Sequence, residues 1–192
     1  MSKNFGYWIN NILSGIGYEE WNDSSKYFGE YSNGKKNGIG TYLWGDNTRY
    51  EGEWKNNMFH GYGIYLYSDG KKFEGSFKNG EIFGVGELSL KNGKKYFGNY
   101  KKDKKDGFGI YFSPVNDYVI GFWKKGKQNG VFKYMRQSKS RYGLWKNGVR
   151  QKWFKDEKEF LDIYNSYHYQ EHYENFFYLD SEEIKEYFHF DE

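Results

Sequence analysis

Along most of this chain large and small side chains alternate on a two-residue beat. Tyr27, Gly29 and Tyr31 form one such group, and Tyr50, Gly52 and Trp54 form the next. Phe73, Gly75, Phe77 and then Tyr96, Gly98, Tyr100 continue it. Side chains of an extended segment point alternately to its two faces, so each group places ring, glycine and ring on one face of a strand. The groups recur every 23 residues. Gly6, Gly29, Gly52, Gly75, Gly98 and Gly121 keep that step, as do Gly15, Gly38, Gly61, Gly84, Gly107 and Gly130. Gly17, Gly40, Gly63, Gly86 and Gly109 follow the second series by two.

Between the groups stand residues that tolerate positive φ, as a two-residue hairpin turn requires: Asn33-Gly34, Asn56-Asn57, Asn79-Gly80 and Lys125-Gly126. Asp69-Gly70 and Asn92-Gly93 mark the passage into the following unit. Each unit therefore reads as strand, turn, strand, turn. A lone hairpin cannot bury its ring face, so the units must stack. The expected fold is all-β: about six to seven stacked 23-residue hairpins in an elongated single-layer sheet, then a short α-helical tail. Units start near residues 4, 27, 50, 73, 96, 119 and 141. The array is expected over 1–155 and an acidic helical tail over 156–192.

Tyr50-Glu51-Gly52-Glu53-Trp54-Lys55-Asn56, continuing through His60-Gly61-Tyr62-Gly63 to Ser68-Asp69-Gly70, resembles the MORN (membrane occupation and recognition nexus) repeat. The likeness runs over about residues 4 to 153. Asn4 and Val119 stand where the first aromatic is expected, and Phe132 stands where the third glycine is expected. The resemblance implies a scaffold that holds a partner segment, often a helix, along an aromatic groove. It also implies a place among structural subunits of cilia or flagella, such as spoke-head components.

Composition agrees with a ring-built interior: 21 Tyr, 17 Phe and 7 Trp against no Ala. Without Cys, neither disulfides, nor a thiolate metal site, nor a Cys nucleophile can form. No run of about 18 apolar residues predicts a spanning helix, and no apolar signal core stands at the N-terminus. A cytoplasmic location is expected, in association with cytoskeleton or membrane. Charge is divided: residues 1–155 carry 27 Lys and Arg against 14 Asp and Glu, whereas 156–192 carry 2 against 12.

Three surfaces are candidates for partners. The ring stripe of Tyr50, Trp54, Phe73, Phe77, Tyr96, Tyr100 and Trp123 is either core alone or core and groove together. Lysines at successive turns, Lys101, Lys102, Lys104, Lys105, Lys124, Lys125 and Lys127, form a ridge that suits anionic lipid; solubility alone also explains lysine-rich turns. In the tail, Phe160, Ile163, Tyr164 and Tyr167 share one face of a helix, and Ile184, Tyr187 and Phe188 share another behind an Asp180 cap. The acidic tail is expected to fold back over the basic array, in cis or from a second copy, so pairing of two copies stays open.

Chemistry is thinly represented. His168-Tyr169-Gln170-Glu171-His172 spells an inverted zinc-protease pattern. Such a peptidase needs a third ligand and a large supporting domain, and only 20 residues follow. The glycine pairs never open a helix, so they do not cradle phosphate. The expectation is a non-enzymatic adaptor without cofactor or metal. It binds protein, or by an alternative reading anionic phospholipid, and not nucleic acid.

Overall fold

The computed structural model describes residues 3–115 and 117–166. Fourteen antiparallel strands follow in sequence order in one sheet. They are β1 (Lys3–Ile9), β2 (Ile12–Glu20), β3 (Lys26–Ser32), β4 (Lys35–Leu43), β5 (Arg49–Lys55), β6 (Met58–Leu66) and β7 (Lys72–Lys78), then β8 (Glu81–Ser89), β9 (Lys95–Lys101), β10 (Lys104–Phe112), β11 (Tyr118–Lys124), β12 (Lys127–Arg136), β13 (Lys139–Lys146) and β14 (Val149–Trp153). One helix, α1 (Glu157–Ser166), ends the described chain. This is the hairpin array with a helical tail that the alternation predicts. The chain forms two compact units, Met1–Lys104 and Lys105–Glu192.

Turn chemistry accounts for the hairpins. Asn33-Gly34, Asn56-Asn57 and Asn79-Gly80 all have positive φ at both central positions, for example 53° and 86° in the last pair. That is the mirror-image turn whose twist matches antiparallel strands. The other connections are tied by a side chain two residues back: Asp46 Oδ1 accepts from the Thr48 amide at 2.9 Å, Asp69 Oδ1 from Lys71 at 3.1 Å and Asn92 Oδ1 from Lys94 at 3.2 Å.

In the first unit the core is a zigzag of rings on one face, called here the inner face. Tyr31, Tyr27, Trp54, Tyr50, Phe77, Phe73, Tyr100 and Tyr96 meet edge to face in that order, with centroids 5.2–5.5 Å apart and planes 84–90° apart. Each such contact adds about 0.5–1.5 kcal/mol to the burial of its rings. Tyr27, Tyr50 and Phe73 lean over Gly40, Gly63 and Gly86 of the neighbouring strand. A Cβ at Gly63 would stand 2.6–2.7 Å from the hydroxyl and ring atoms of Tyr50, so the missing side chain is the space the ring occupies.

The second unit reaches the same packing from the opposite side. Val119 holds the place of Tyr50 and Phe132 that of Gly63, and the Phe132 ring now lies over Gly121, with Cε1 2.6 Å from where a Cβ would be. Phe132 then meets Trp123 at 4.9 Å and Trp145 at 5.5 Å, and Trp145 meets Trp153 at 5.3 Å. This unit also has a core on its outer face, where Phe108, Ile110, Tyr118, Ile120, Val131 and Tyr142 are buried together with Phe154, Phe160 and Tyr164. α1 supplies the cover. Asp156 caps it by accepting from the Glu159 amide at 2.9 Å, while Glu159 reaches back to the Lys155 amide at 2.7 Å.

Candidate functional site

The seven stripe residues fall on the inner face, and none of them, from Tyr50 at 0% to Trp123 at 8%, is more than 8% exposed. Trp54 Nε1 donates to the Gly40 carbonyl at 3.0 Å, and the Tyr50 hydroxyl donates to the Glu53 carbonyl at 2.8 Å. These rings are the floor of the face. In the first unit a second row lies beside them and is only half covered: Trp21, Tyr42, Trp44, Tyr65 and Tyr67. Consecutive members touch, at 5.4, 4.4, 5.5 and 4.6 Å between centroids. The sequence carries the signal for this row, since Trp21, Trp44 and Tyr67 are 23 residues apart.

Lys36 sits at the edge of this row. Its ammonium lies 4.8 Å from the centroid of Trp21, 5.0 Å from Tyr27 and Tyr42, and 5.7 Å from Trp54. Burial lowers its pKa, opposed by the Glu19 carboxylate. The slot is filled by a cation–π contact that recovers part of the desolvation cost. One repeat on, Phe59 fills the equivalent place and stacks on Tyr50 at 4.0 Å.

Of the ridge lysines, Lys101, Lys102 and Lys104 are exposed in the first unit, as are Lys124, Lys125 and Lys127 in the second. Lys105 differs. It occupies the inner-face position of Lys36 and Phe59, is half-buried, and holds its ammonium 5.3 Å from the Tyr111 centroid. Burial brings its pKa down to about 8.

The outer face differs between the units. In the first it is laced by the pairs Lys26–Glu20, Arg49–Glu51, Lys72–Glu74 and Lys95–Glu87. Glu30 and Glu53 accept from the amides of Ile39 and Tyr62 at 2.9 and 2.7 Å. In the second unit two of these repeat positions turn apolar: Tyr118 follows Lys26, Arg49, Lys72 and Lys95, and Phe122 follows Glu30, Glu53, Ser76 and Asn99, while Ile120 stands at a position that holds Phe28, Glu51, Glu74 and Phe97 in the first unit. That switch is what α1 covers, and position-by-position comparison of the repeats makes it legible. Of the tail residues, Phe160 stacks on Tyr142 at 4.5 Å and on Tyr164 at 5.6 Å, with Ile163 partly buried beside them. Tyr167, Ile184, Tyr187 and Phe188 lie outside the described residues, as do His168 and His172. Among the described residues no group of three or more His, Asp or Glu could hold a metal, and no helix is long and apolar enough to cross a membrane.

A single sheet of 23-residue hairpins, with rings packed over glycines of the neighbouring strand, defines a β-hairpin repeat protein. The MORN repeat profile matches residues 5–26, 27–49, 50–72, 73–95 and 96–118, and the chain belongs to the MORN repeat family. No curated protein sequence matches it. Among solved structures it is similar to the wild-type TCP10 domain of Danio rerio CPAP, at 10% identity over 73% of this chain and 68% of that one, with a TM-score of 0.41. It is also similar to the SAS-4 (dCPAP) TCP domain of Drosophila melanogaster, which is in complex with a proline-rich motif of Ana2 (dSTIL). Identity there is 14% over 81% of this chain and 90% of that one, with a TM-score of 0.46.

Proposed function

We propose that this protein is a non-enzymatic scaffold that binds a helical or extended segment of a protein along the inner ring face of its first unit, and holds it at a cytoskeletal or membrane-associated site. The observation that carries the reading is the continuous half-covered row Trp21, Tyr42, Trp44, Tyr65, Tyr67 beside the buried floor of Tyr50, Trp54, Phe73, Phe77, Tyr96 and Tyr100. Apolar rings with a polar handle suit protein contacts, because they bury large area with few rotors to fix. A second reading, attachment to anionic lipid, is favoured by the exposed lysines Lys101, Lys102, Lys104, Lys124, Lys125 and Lys127.

The test is capture from native cell extract by the full chain and by a Trp44→Ala/Tyr67→Ala variant, both side chains being only half-buried so that the fold survives. Proteins held by the first and lost by the second, at low and at moderate salt alike, support the scaffold. Equal capture by both refutes the inner-face site. Binding only to phosphatidylserine vesicles, abolished by about 0.3 M salt, transfers the function to the lysines.

A further inference from the structure

The residue between the paired glycines of each even strand points to the outer face. In the first unit these residues are Ile16, Ile39, Tyr62 and Val85, and they are 46–59% exposed. In the second unit the same position is Phe108 and Val131, at 4% and 0%. What buries them is the cluster closed by α1, an acidic helix with Glu157, Glu159 and Asp162 on its sequence and aromatic Phe160 and Tyr164 four residues apart. One repeat position thus has two states within a single chain, covered by a helix or open.

We propose that the outer face of the first unit, along Ile16, Ile39, Tyr62 and Val85, docks an acidic amphipathic helix of a partner protein with the chemistry of α1. Spacing suits such an occupant. Neighbouring row positions are two strands apart, about 9.6 Å, and seven residues of helix advance about 10.5 Å. A helix lying across the strands therefore presents one apolar side chain per repeat, and the mismatch stays about 1 Å per step. Charge suits it as well. Ile39, Tyr62 and Val85 pair with Glu53, Ser76 and Asn99, and two residues further along those strands stand Lys55, Lys78 and Lys101, all exposed. That sets a lysine row about 7 Å from the apolar row, within reach of acids on a helix flank. Of the acids on this face, Glu51, Glu74 and Glu87 are paired with Arg49, Lys72 and Lys95, and Glu74 also accepts from the Tyr62 hydroxyl at 2.7 Å. Glu30 and Glu53 direct their carboxylates at the Ile39 and Tyr62 amides, which leaves the lysine row as the cationic edge of the surface. This surface is on the opposite side of the sheet from the ring row and is independent of it.

The test uses a helix-stapled, fluorescein-labelled peptide of residues 155–166 and fluorescence anisotropy with the full-length chain. Saturable binding is expected, weakened at least 10-fold by Ile39→Asp/Tyr62→Asp and several-fold by raising salt from 0.05 to 0.3 M, because the lysine row is exposed and salt screens its attraction to the helix acids. Trp44→Ala/Tyr67→Ala must leave it unchanged. A Lys55→Glu/Lys78→Glu variant, altered only at exposed positions, provides the same loss of binding should the first variant be unstable. No binding at 200 µM peptide, on the order of a 4–5 kcal/mol interaction, overturns the proposal. So does binding that both outer-face variants retain. Attachment of the same row to phosphatidylserine vesicles with the peptide inert also overturns it, in favour of a lipid surface.

Discussion

The exchange of ring and glycine between repeats can be reproduced by substitution. In the third repeat Tyr50 is fully buried, stacks on Phe59 at 4.0 Å, and meets Trp54 and Phe77 edge to face at 5.2 Å. Tyr50→Val removes that ring and its hydrogen bond, which should cost about 3 kcal/mol, in the range of large-to-small core substitutions. Gly63→Phe alone brings a Cβ to 2.6 Å from the Tyr50 hydroxyl and then adds a ring where one already lies, costing about 3 kcal/mol or more. The three atoms nearest that Cβ all belong to Tyr50, so removing its ring opens the space. Gly63 is also outside the positive-φ glycines, so its backbone accepts a side chain. The double substitution recreates Val119 with Phe132. It should lie within about 2 kcal/mol of the natural chain, against about 6 kcal/mol if the effects were additive. Urea unfolding followed by tryptophan fluorescence measures this, with Trp54 beside the altered ring. A double variant no more stable than the additive expectation would refute the idea that ring position is interchangeable across the glycine pair.

Ser76 stands where Glu30 and Glu53 cap a backbone amide, and Ser76→Glu should give the Val85 amide the same acceptor, raising stability by about 1 kcal/mol in chemical denaturation. For Lys105, burial lowers the folded pKa to about 8 from the lysine value of 10.5, so between these pH values the unfolded chain binds more protons and stability rises with pH. Lys105→Met should flatten that rise and add roughly 1 kcal/mol at pH 7, discounted for the part of the ammonium still in water; an unchanged slope would contradict the assignment. Phe160→Ala should cost about 3–4 kcal/mol and raise amide exchange in β11 and β12 while leaving β5 to β7 protected.

Local rules made most of the fold legible. A 23-residue beat of ring, glycine and ring sets strands and faces, and Asn-Gly pairs set turns, because side-chain alternation and positive φ are properties of neighbouring residues. Asn33-Gly34 and Asn79-Gly80 take the turn their chemistry predicts. The helix over Glu157–Ser166 follows likewise from the spacing of Phe160, Ile163 and Tyr164, to which the structure adds the Asp156 cap.

What only the tertiary structure decided is which rings are covered and by what. Tyr50 and Tyr65 face each other across one strand pair and share a face, yet Tyr50 is sealed by Trp54 of its own strand, Phe59 of β6 and Phe77 of β7 while Tyr65 stays half open. Lys35 and Lys36 are neighbours in sequence, but the strand pairing turns only Lys36 into a cage of four rings drawn from three repeats. The apolar switch at Tyr118 and Phe122 was written in the repeats, but its meaning depended on where α1 comes to rest. Burial is a property of atoms brought together from distant parts of the chain, and alternation along one strand does not specify the far partner that completes it.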